Sequence, residues 1–200
     1  MIFSHTPACD TQGQASRRTN RKSETGYPCI CPSSLDNFAI MRPVNTAKLF
    51  ISCVVPLLAG AAGALFTTAD SLNNWYAKLN KPAFNPPNWL FGPVWTTLYI
   101  LMGIAAFLVW RKGLDNKPAR LALICFVLQL ALNALWTPLF FGLHSPLLAL
   151  ADIVLLLGAI VLTVFYFLKV SRSAGLLLVP YLVWVTFATS LNFAIYLLNR

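Results

Sequence analysis

Charged side chains are scarce in this 200-residue chain, at 10% of the residues against about 25% in ordinary soluble domains. Hydrophobic residues reach 58%, which is more than a water-soluble core of this size can bury. The shortage of charge therefore excludes most soluble enzymes and indicates that lipid surrounds the fold. Lysine and arginine outnumber the acidic residues by 15 to 6, but they cluster between apolar runs, so we expect membrane-protein loops and no nucleic-acid partner.

Residues that build metal or disulfide frameworks are also few. The Cys29–Cys31 pair has no second ligand pair at a zinc spacing, and the five cysteines show no framework spacing. The chain has two histidines, and neither has an evident serine or cysteine partner for nucleophilic catalysis. We therefore expect no metal site, no required cofactor and no conventional catalytic machinery.

Long runs without charge are abundant instead. About 20 residues at 1.5 Å rise cross a ~30 Å hydrocarbon core, and five runs approach that length. No alternating strand pattern competes with them, and helices satisfy their own backbone groups in lipid. The sequence thus predicts an all-α integral membrane protein, a five-transmembrane-helix bundle. The predicted spans are Leu49–Thr68, Val94–Trp110, Leu121–Phe141, Leu147–Leu168 and Leu176–Leu198.

The charges of the connections predict an orientation. With the N-terminus inside, the inner segments after residue 40 carry eight lysines and arginines, and the outer segments carry three. The positive-inside rule then predicts an inside N-terminus and an outside C-terminus.

Residues 1–46 differ from the rest in composition. They are rich in Ser, Thr, Asn and Gln and lack the apolar stretch of a secretory signal peptide, while Asp10, Glu24 and Asp36 disfavour a transit peptide. We predict a disordered tail, or an extension that is not translated because synthesis begins at Met41. The membrane domain is then residues 47–200.

Polar and aromatic residues form stripes on three of the predicted helices. Gln129, Asn133 and Trp136 follow an i, i+4, i+7 spacing and therefore share one helix face. Because lipid disfavours amide side chains, we expect the stripes to face inward. The other two stripes are Trp95, Tyr99 and Met102 in the second helix, and Tyr181, Trp184, Ala188 and Asn192 in the fifth.

The stripes converge beneath the long connection of residues 70–93, which is rich in Trp, Pro and Asn. At helical rise Asn133 and Trp136 lie roughly 18–23 Å from the inner face, in the outer half of the bilayer. This arrangement predicts a lidded pocket with aromatic walls and a few polar groups, which is typical of small-molecule sites. Flat aromatic walls favour a flat, largely apolar ligand.

Structural roles for the same residue types stay open. Tryptophans at helix ends are frequent in interfacial belts, and Gln129 and Asn133 can bond helices together. Asp152 can lie near a helix N-terminus, where the dipole favours a carboxylate. The small-residue pairs Gly60–Ala64 and Ala59–Gly63 can pack within one chain or across a dimer.

Four runs within residues 47–200 closely resemble the translocator protein family, also called the tryptophan-rich sensory protein, TspO/MBR or peripheral benzodiazepine receptor family. The longest begins at Trp75, and its several aromatic and proline positions make the resemblance specific. The runs are WYAKLNKPAFNPPNWLFGPVWTTLYILMG from Trp75, LQLALNALWTPLFFG from Leu128, ALADIVLLL from Ala149 and PYLVWVTFATSLNF from Pro180.

The resemblance implies a five-helix bundle, often a homodimer, whose first long loop closes a pocket. It implies binding of porphyrins such as protoporphyrin IX, of heme, of cholesterol and of synthetic benzodiazepine-type or isoquinoline ligands. It implies transport or stress regulation, in a bacterial membrane or, in a eukaryote, an organellar outer membrane. Trp95 and Trp184 match the two tryptophans linked to porphyrin chemistry. The implied ligand contacts are Tyr76, Pro86, Pro87, Trp95, Gln129, Asn133, Trp136, Trp184 and Ala188.

The chain departs from the family at two places. Ala134 stands where some members have a second tryptophan, and Phe193 stands where the sterol-recognition segment usually has a tyrosine. Leu191, Tyr196 and Arg200 still satisfy the loose L-x₄-Y-x₃-R sterol pattern.

Three functions compete on these residues. The first is a porphyrin-binding membrane receptor or transporter. The second is an enzyme that degrades porphyrin in light, with Trp95 or Trp184 as redox partner. The third is an ion-coupled transporter, which usually needs several membrane carboxylates where this chain has Asp152.

Overall fold

A computed structural model describes residues 43–68 and 71–200 of the chain. Within these ranges, five helical segments are long and apolar enough to cross a membrane, which confirms the predicted five-helix membrane fold. The fifth segment combines two helices, α5 and α6. The helices are α1 (Pro43–Ala64), α2 (Phe91–Trp110), α3 (Lys117–Thr137), α4 (Pro146–Val170), α5 (Arg172–Leu177) and α6 (Val179–Leu198).

The expectation of a disordered or untranslated segment lies outside the described residues, apart from its last four positions. Residues 43–46 form the first turn of α1, which begins six residues before the predicted start at Leu49. The three cysteines before residue 43 lie outside the described residues as well.

Serine and proline set several helix ends. Ser145 caps α4 by accepting a hydrogen bond from the backbone N–H of Leu148 at 3.3 Å, and Pro146 occupies the first turn. The fifth span is interrupted at Leu178, where an unbroken helix was predicted. Pro180 accounts for this break, because it has no N–H to donate to the carbonyl four residues earlier.

The third predicted span also ends in two parts. Helix α3 stops at Thr137, and the π-helical turn Pro138–Gly142 carries the chain to the end of the span. Pro138 again removes the backbone donor that would continue a regular α-helix. The wider turn places Phe140 in the interior, where it is buried.

The half of the bundle farthest from the residue 71–90 connection is densely packed, and we call it the closed half. A Cβ placed on Gly103 of α2 would lie 2.6 Å from Cys53 Cα, so the backbones of α1 and α2 touch there. Phe126 and Phe167 stack with ring centroids 5.9 Å apart. Small side chains allow this close approach, as in many membrane bundles. Fully buried members are Met102, Ala105, Val109, Ala119, Ala122 and Ala174.

Large apolar side chains cover the outside of the bundle. Phe50, Leu155 and Val127 are 69%, 65% and 63% exposed, as expected of a surface that contacts acyl chains. The small residues of α1 point the other way. A Cβ on Gly60 would overlap the Tyr99 ring, and one on Gly63 would lie 3.1 Å from the Thr137 hydroxyl. These two glycines therefore serve packing within one chain.

Candidate ligand-binding site

A cavity of about 590 Å³ occupies the half of the bundle nearest the α1–α2 connection. Four helices, α1, α2, α3 and α6, contribute most of its wall, with two residues from α4. Residues 71–90, which we call the lid, contribute Leu72, Tyr76 and Asn88. The volume is in the range of small-molecule sites. Six residues predicted as ligand contacts line it: Tyr76, Trp95, Asn133, Trp136, Trp184 and Ala188.

The cavity walls are built from paired aromatic rings. Trp136 stacks on Phe140 with centroids 4.9 Å apart and planes inclined by 13°. Trp95 lies against Tyr99 at 5.5 Å, and the third pair, Phe91 with Trp184, meets edge to face at 6.0 Å. Each of these rings lies against a neighbouring ring, so the cavity offers several aromatic surfaces on which an aromatic ligand can pack.

The Trp136 ring is also held by a hydrogen bond from its indole N–H to Asn192. With the Asn192 amide oriented to satisfy both of its groups, its oxygen accepts from Trp136 Nε1 at 3.0 Å. Its nitrogen donates to the Pro146 carbonyl, also at 3.0 Å. Asn192 thereby links α3, α4 and α6 and sets the plane of the Trp136 ring.

A chain of hydrogen bonds runs from the cavity wall into the bundle. The Tyr99 hydroxyl donates to Asn133 Oδ1 at 2.8 Å, and Asn133 Nδ2 donates to the Tyr181 hydroxyl at 3.2 Å. The Tyr181 hydroxyl in turn donates to Gln129 Oε1 at 2.8 Å. The chain joins α2, α3 and α6, so Asn133 bonds helices together and also lines the cavity.

Three buried polar atoms near this chain have no partner among the described residues. They are Gln129 Nε2, Asp152 Oδ2 and Trp184 Nε1. Asp152 is 5% exposed and is the seventh residue of α4. It therefore lies beyond the first helical turn, and the helix dipole favours a carboxylate most strongly within that turn. Neither Asp152 nor Gln129 reaches the cavity surface.

The start of the lid is held by contacts with the turn between α3 and α4. Ser71 Oγ donates to the Phe141 carbonyl at 3.1 Å and accepts from the Thr68 hydroxyl at 3.0 Å. His144 Nε2 lies 3.4 Å from Ser71 Oγ, and its ring lies 4.6 Å from the Trp75 ring. Ser71, His144 and Trp75 thereby anchor the start of the lid to the turn between α3 and α4.

The middle of the lid folds around Tyr76, which is buried. The Tyr76 hydroxyl donates to Asn85 Oδ1 at 3.3 Å, and Lys81 Nζ lies 4.2 Å from the Tyr76 ring centroid. Burial raises the pKa of Tyr76 above its ordinary value of 10.0, so the phenol stays neutral at physiological pH. A neutral phenol can donate to Asn85 and keep the lid in place.

Five of the predicted site residues lie away from the cavity surface. Pro86 and Pro87 shape the lid without lining the cavity, and Gln129 lies behind Tyr181. In the sterol segment Leu191 lines the cavity, whereas Tyr196 and Arg200 do not. Tyr196 is five residues beyond Leu191 and so points to another side of the helix, and Arg200 lies after the end of α6 at Leu198.

Sequence reasoning missed the first helix as a cavity wall. It contributes Gly60 and Ala64, which had been considered only as packing residues. The absence of a side chain on Gly60 lets the Tyr99 ring of α2 pack against α1, so a run of small residues opposite an aromatic stripe was the available signal. Other lining residues that were missed include Leu57, Ala61, Thr67, Phe91, Phe140, Phe141, Ile153 and Leu156.

Fold and site together define a multi-pass α-helical membrane protein with an aromatic, lidded cavity inside the bundle. The profile of the TspO/MBR family matches residues 52–198, and the chain belongs to this family.

The alignments with individual relatives cover most of each relative's length. The chain is 51% identical to the tryptophan-rich protein TspO of Archaeoglobus fulgidus over 156 residues, which are 78% of this chain and 99% of that protein. It is 41% identical to the human translocator protein over 144 residues, 72% of this chain and 85% of that protein. It is 43% identical to the tryptophan-rich sensory protein of Cereibacter sphaeroides over 141 residues, 70% and 87% respectively.

Proposed function

We propose that the cavity binds a tetrapyrrole, such as protoporphyrin IX or heme, in porphyrin transport or stress regulation. The observation that carries the proposal is the aromatic lining, with the ring pairs Trp95–Tyr99 and Trp136–Phe140, around a cavity of about 590 Å³ beneath the lid. A planar macrocycle can stack on such rings and bury its apolar faces against the cavity lining. The names "translocator" and "sensory" of two relatives agree with transport or regulation.

Titration with protoporphyrin IX tests the proposal in protein reconstituted into nanodiscs. We expect saturable binding by the unaltered chain and about tenfold weaker binding in a Trp95→Phe, Trp184→Phe double variant, because each smaller ring forfeits part of its stacking energy. The matched control removes two tryptophans outside the cavity, Trp89 and Trp110, also as phenylalanines. Equal affinity in both double variants would overturn the proposal.

Of the ligands that the family resemblance implies, a sterol is supported less well than a porphyrin. Leu191 reaches the cavity, but Phe193, at the position of the usual tyrosine, is 51% exposed on the lipid side. We propose that any sterol contacts the α6 surface. Competition between cholesterol and protoporphyrin IX would contradict that placement.

We also propose an orientation with the lid outside and the closed half inside. Lys48 packs over Trp110, which places it at the same end as the loop between α2 and α3. The closed end carries more basic residues than the lid end, which the positive-inside rule favours for the inner side. Closed-end residues are Lys48, Arg111, Lys112, Lys117, Arg120, Lys169 and Arg172, and lid-end residues are Lys78, Lys81 and Arg200. Labelling of a cysteine placed at Asn73 by an impermeant reagent in whole cells checks this.

The expected homodimer remains a proposal without an assigned surface. Gly60 and Gly63 are used within the chain, so we expect substitutions at these glycines to alter stability before oligomeric state. Light scattering of the protein in detergent measures the oligomer directly.

Photochemical degradation of the bound porphyrin is a second candidate function. It is favoured by the position of Trp95 and Trp184, which both line the cavity and could exchange an electron with an excited macrocycle. An absorbance change that occurs in light, fails in darkness and is lost when both tryptophans become phenylalanine supports it. Equal loss of porphyrin without protein would contradict it.

A further inference from the structure

The lid contacts the bundle at several places, among them Phe84, whose ring meets Phe187 of α6 edge to face at 6.3 Å. Two of its hydrogen-bonded fastenings differ in character. At its start, buried Ser71 and the Trp75 ring pack against the turn after α3. At its middle, Asn80 is exposed and pairs with Asn199, the residue that follows α6. Asn80 lies within the lid segment from Tyr76 to Asn85, whose ends are joined by the hydrogen bond from the Tyr76 hydroxyl to Asn85 Oδ1.

Asn199 holds the lid through the lid's backbone. Its Oδ1 accepts from the Asn80 backbone N–H at 2.9 Å, and its Nδ2 donates to the Asn80 carbonyl at 2.9 Å. The second N–H of the same amide donates to the Ile195 carbonyl at 2.8 Å and so anchors the side chain to the end of α6. Both N–H groups of the amide are therefore used, and one side chain imitates the paired bonds of a neighbouring strand.

The side chain of Asn80 contributes much less to this fastening. Its Nδ2 donates to the Leu198 carbonyl at 3.4 Å, at the long end of hydrogen-bond distances. The two residues therefore differ sharply: the Asn199 side chain forms the pair, and the Asn80 backbone receives it. This asymmetry gives a matched control within the same contact.

The Asn80–Asn199 pair is the fastening that opens at lower cost. Its hydrogen bonds lie where water can replace them, whereas release of Ser71 would also expose the Trp75, Phe140 and Phe141 rings. Segments with few buried contacts open locally more often than packed ones. The lid should therefore swing from its Asn80 side while its start stays attached.

We propose that Asn199 is a positioning residue that keeps the lid closed, and that breaking its pair with Asn80 admits and releases the ligand. The proposal rests on the cavity being the ligand site proposed above. Weakening such a gate should speed ligand entry and ligand exit together, since both pass through the same open state.

Two measurements on Asn199→Ala and Asn80→Ala in nanodiscs test this. Amide hydrogen exchange of residues 78–85 should rise about tenfold in Asn199→Ala and little in Asn80→Ala, because two hydrogen bonds are lost in the first and one long one in the second. Stopped-flow mixing with protoporphyrin IX should show association and dissociation both faster by a similar factor in Asn199→Ala.

Hydrogen exchange needs no ligand, so it separates this proposal from the function on which it rests. Unchanged exchange at residues 78–85 in Asn199→Ala would overturn the fastening. Faster exchange with unchanged ligand rates, or a faster dissociation alone, would overturn the gate and leave a structural cap on α6. Absence of protoporphyrin binding by the unaltered chain would contradict the proposed function, and exchange would still decide whether Asn199 holds the lid.

Discussion

The closed half and the lid half of this bundle are built from the same apolar residue types, but the first is densely packed and the second contains a cavity. In the closed half, glycine and alanine bring backbones together until no space remains, as at Gly103 against Cys53. In the lid half, Gly60 and Ala64 stand opposite tryptophans and tyrosines whose rings support one another, and a cavity of about 590 Å³ remains. Glycines therefore bring α1 against the α2 backbone in the closed half and against the Tyr99 ring in the lid half, where the cavity lies among aromatic side chains.

The largest effect should come from adding a methyl group to the closed half. Gly103→Ala places a carbon against the α1 backbone, which cannot move aside as a flexible side chain can. We expect a loss of about 1–3 kcal/mol in the free energy of unfolding, the usual cost of overpacking. Thermal unfolding in detergent measures it.

Gly158 supplies the control, because a Cβ there meets nothing within 4 Å. Gly158→Ala should be neutral or stabilise by up to about 1 kcal/mol through helix propensity. Equal destabilisation by both alanines would show that the closed half is no tighter than the lipid face.

The hydrogen-bond chain at the boundary between the halves should give the next effect. Tyr181→Phe leaves Gln129 Oε1 and Asn133 Nδ2 unpaired in a buried position. We expect a loss of about 1–2 kcal/mol in the free energy of unfolding. Tyr99→Phe removes one hydrogen bond at the cavity edge and should cost roughly half as much. A larger loss for Tyr99→Phe than for Tyr181→Phe would show that the hydrogen bond at the cavity edge stabilises the fold more than those deeper in the bundle.

A smaller effect should appear in the cavity wall itself. Trp136→Phe keeps a ring beside Phe140 but removes the indole N–H that bonds Asn192. We expect protoporphyrin IX affinity to fall about threefold, since a net hydrogen bond contributes about 1 kcal/mol or less here. Unchanged thermal stability alongside the weaker binding would show that the wall serves the ligand more than the fold.

The smallest effect belongs to the lipid face, which is common to both halves. Thr186 is exposed on α6, and its hydroxyl donates to the Leu182 carbonyl of its own helix. Thr186→Ala should change the free energy of unfolding by less than about 0.5 kcal/mol and leave binding unchanged. A large change in binding would mean that this face meets a partner.

Much of the fold could be predicted because its signals are local. Charge-free runs marked the spans, and the 3.6-residue repeat put Asn133, Trp136 and Trp184 on faces that the structure turns inward. The helix breaks at prolines were not predicted: Pro180 splits the fifth span, and Pro138 ends α3 early. Each proline removes one backbone donor, and this loss does not show in a continuous run of apolar residues.

The candidate site was less predictable, because it depends on contacts between distant segments. Gln129 shared a stripe with Asn133, yet it is buried, accepts a hydrogen bond from Tyr181 of another helix and does not line the cavity. The Ser71–His144 contact and the Asn80–Asn199 pair join residues 73 and 119 positions apart, and no local pattern announces them. Spacing along one helix identifies a face, and only the packing of its neighbours decides which residue on that face meets a ligand.

Filling the cavity tests the central claim most directly. Ala188 lines the cavity wall on α6, whereas Ala151 on α4 is exposed to lipid, so Ala188→Phe and Ala151→Phe add the same volume to opposite environments. We measure protoporphyrin IX affinity for both variants and the unaltered chain in nanodiscs. Affinity should fall by at least about tenfold in Ala188→Phe and stay unchanged in Ala151→Phe, because a ring in the cavity takes the place of the ligand. Equal affinity in all three proteins would contradict the account and place the ligand outside the cavity.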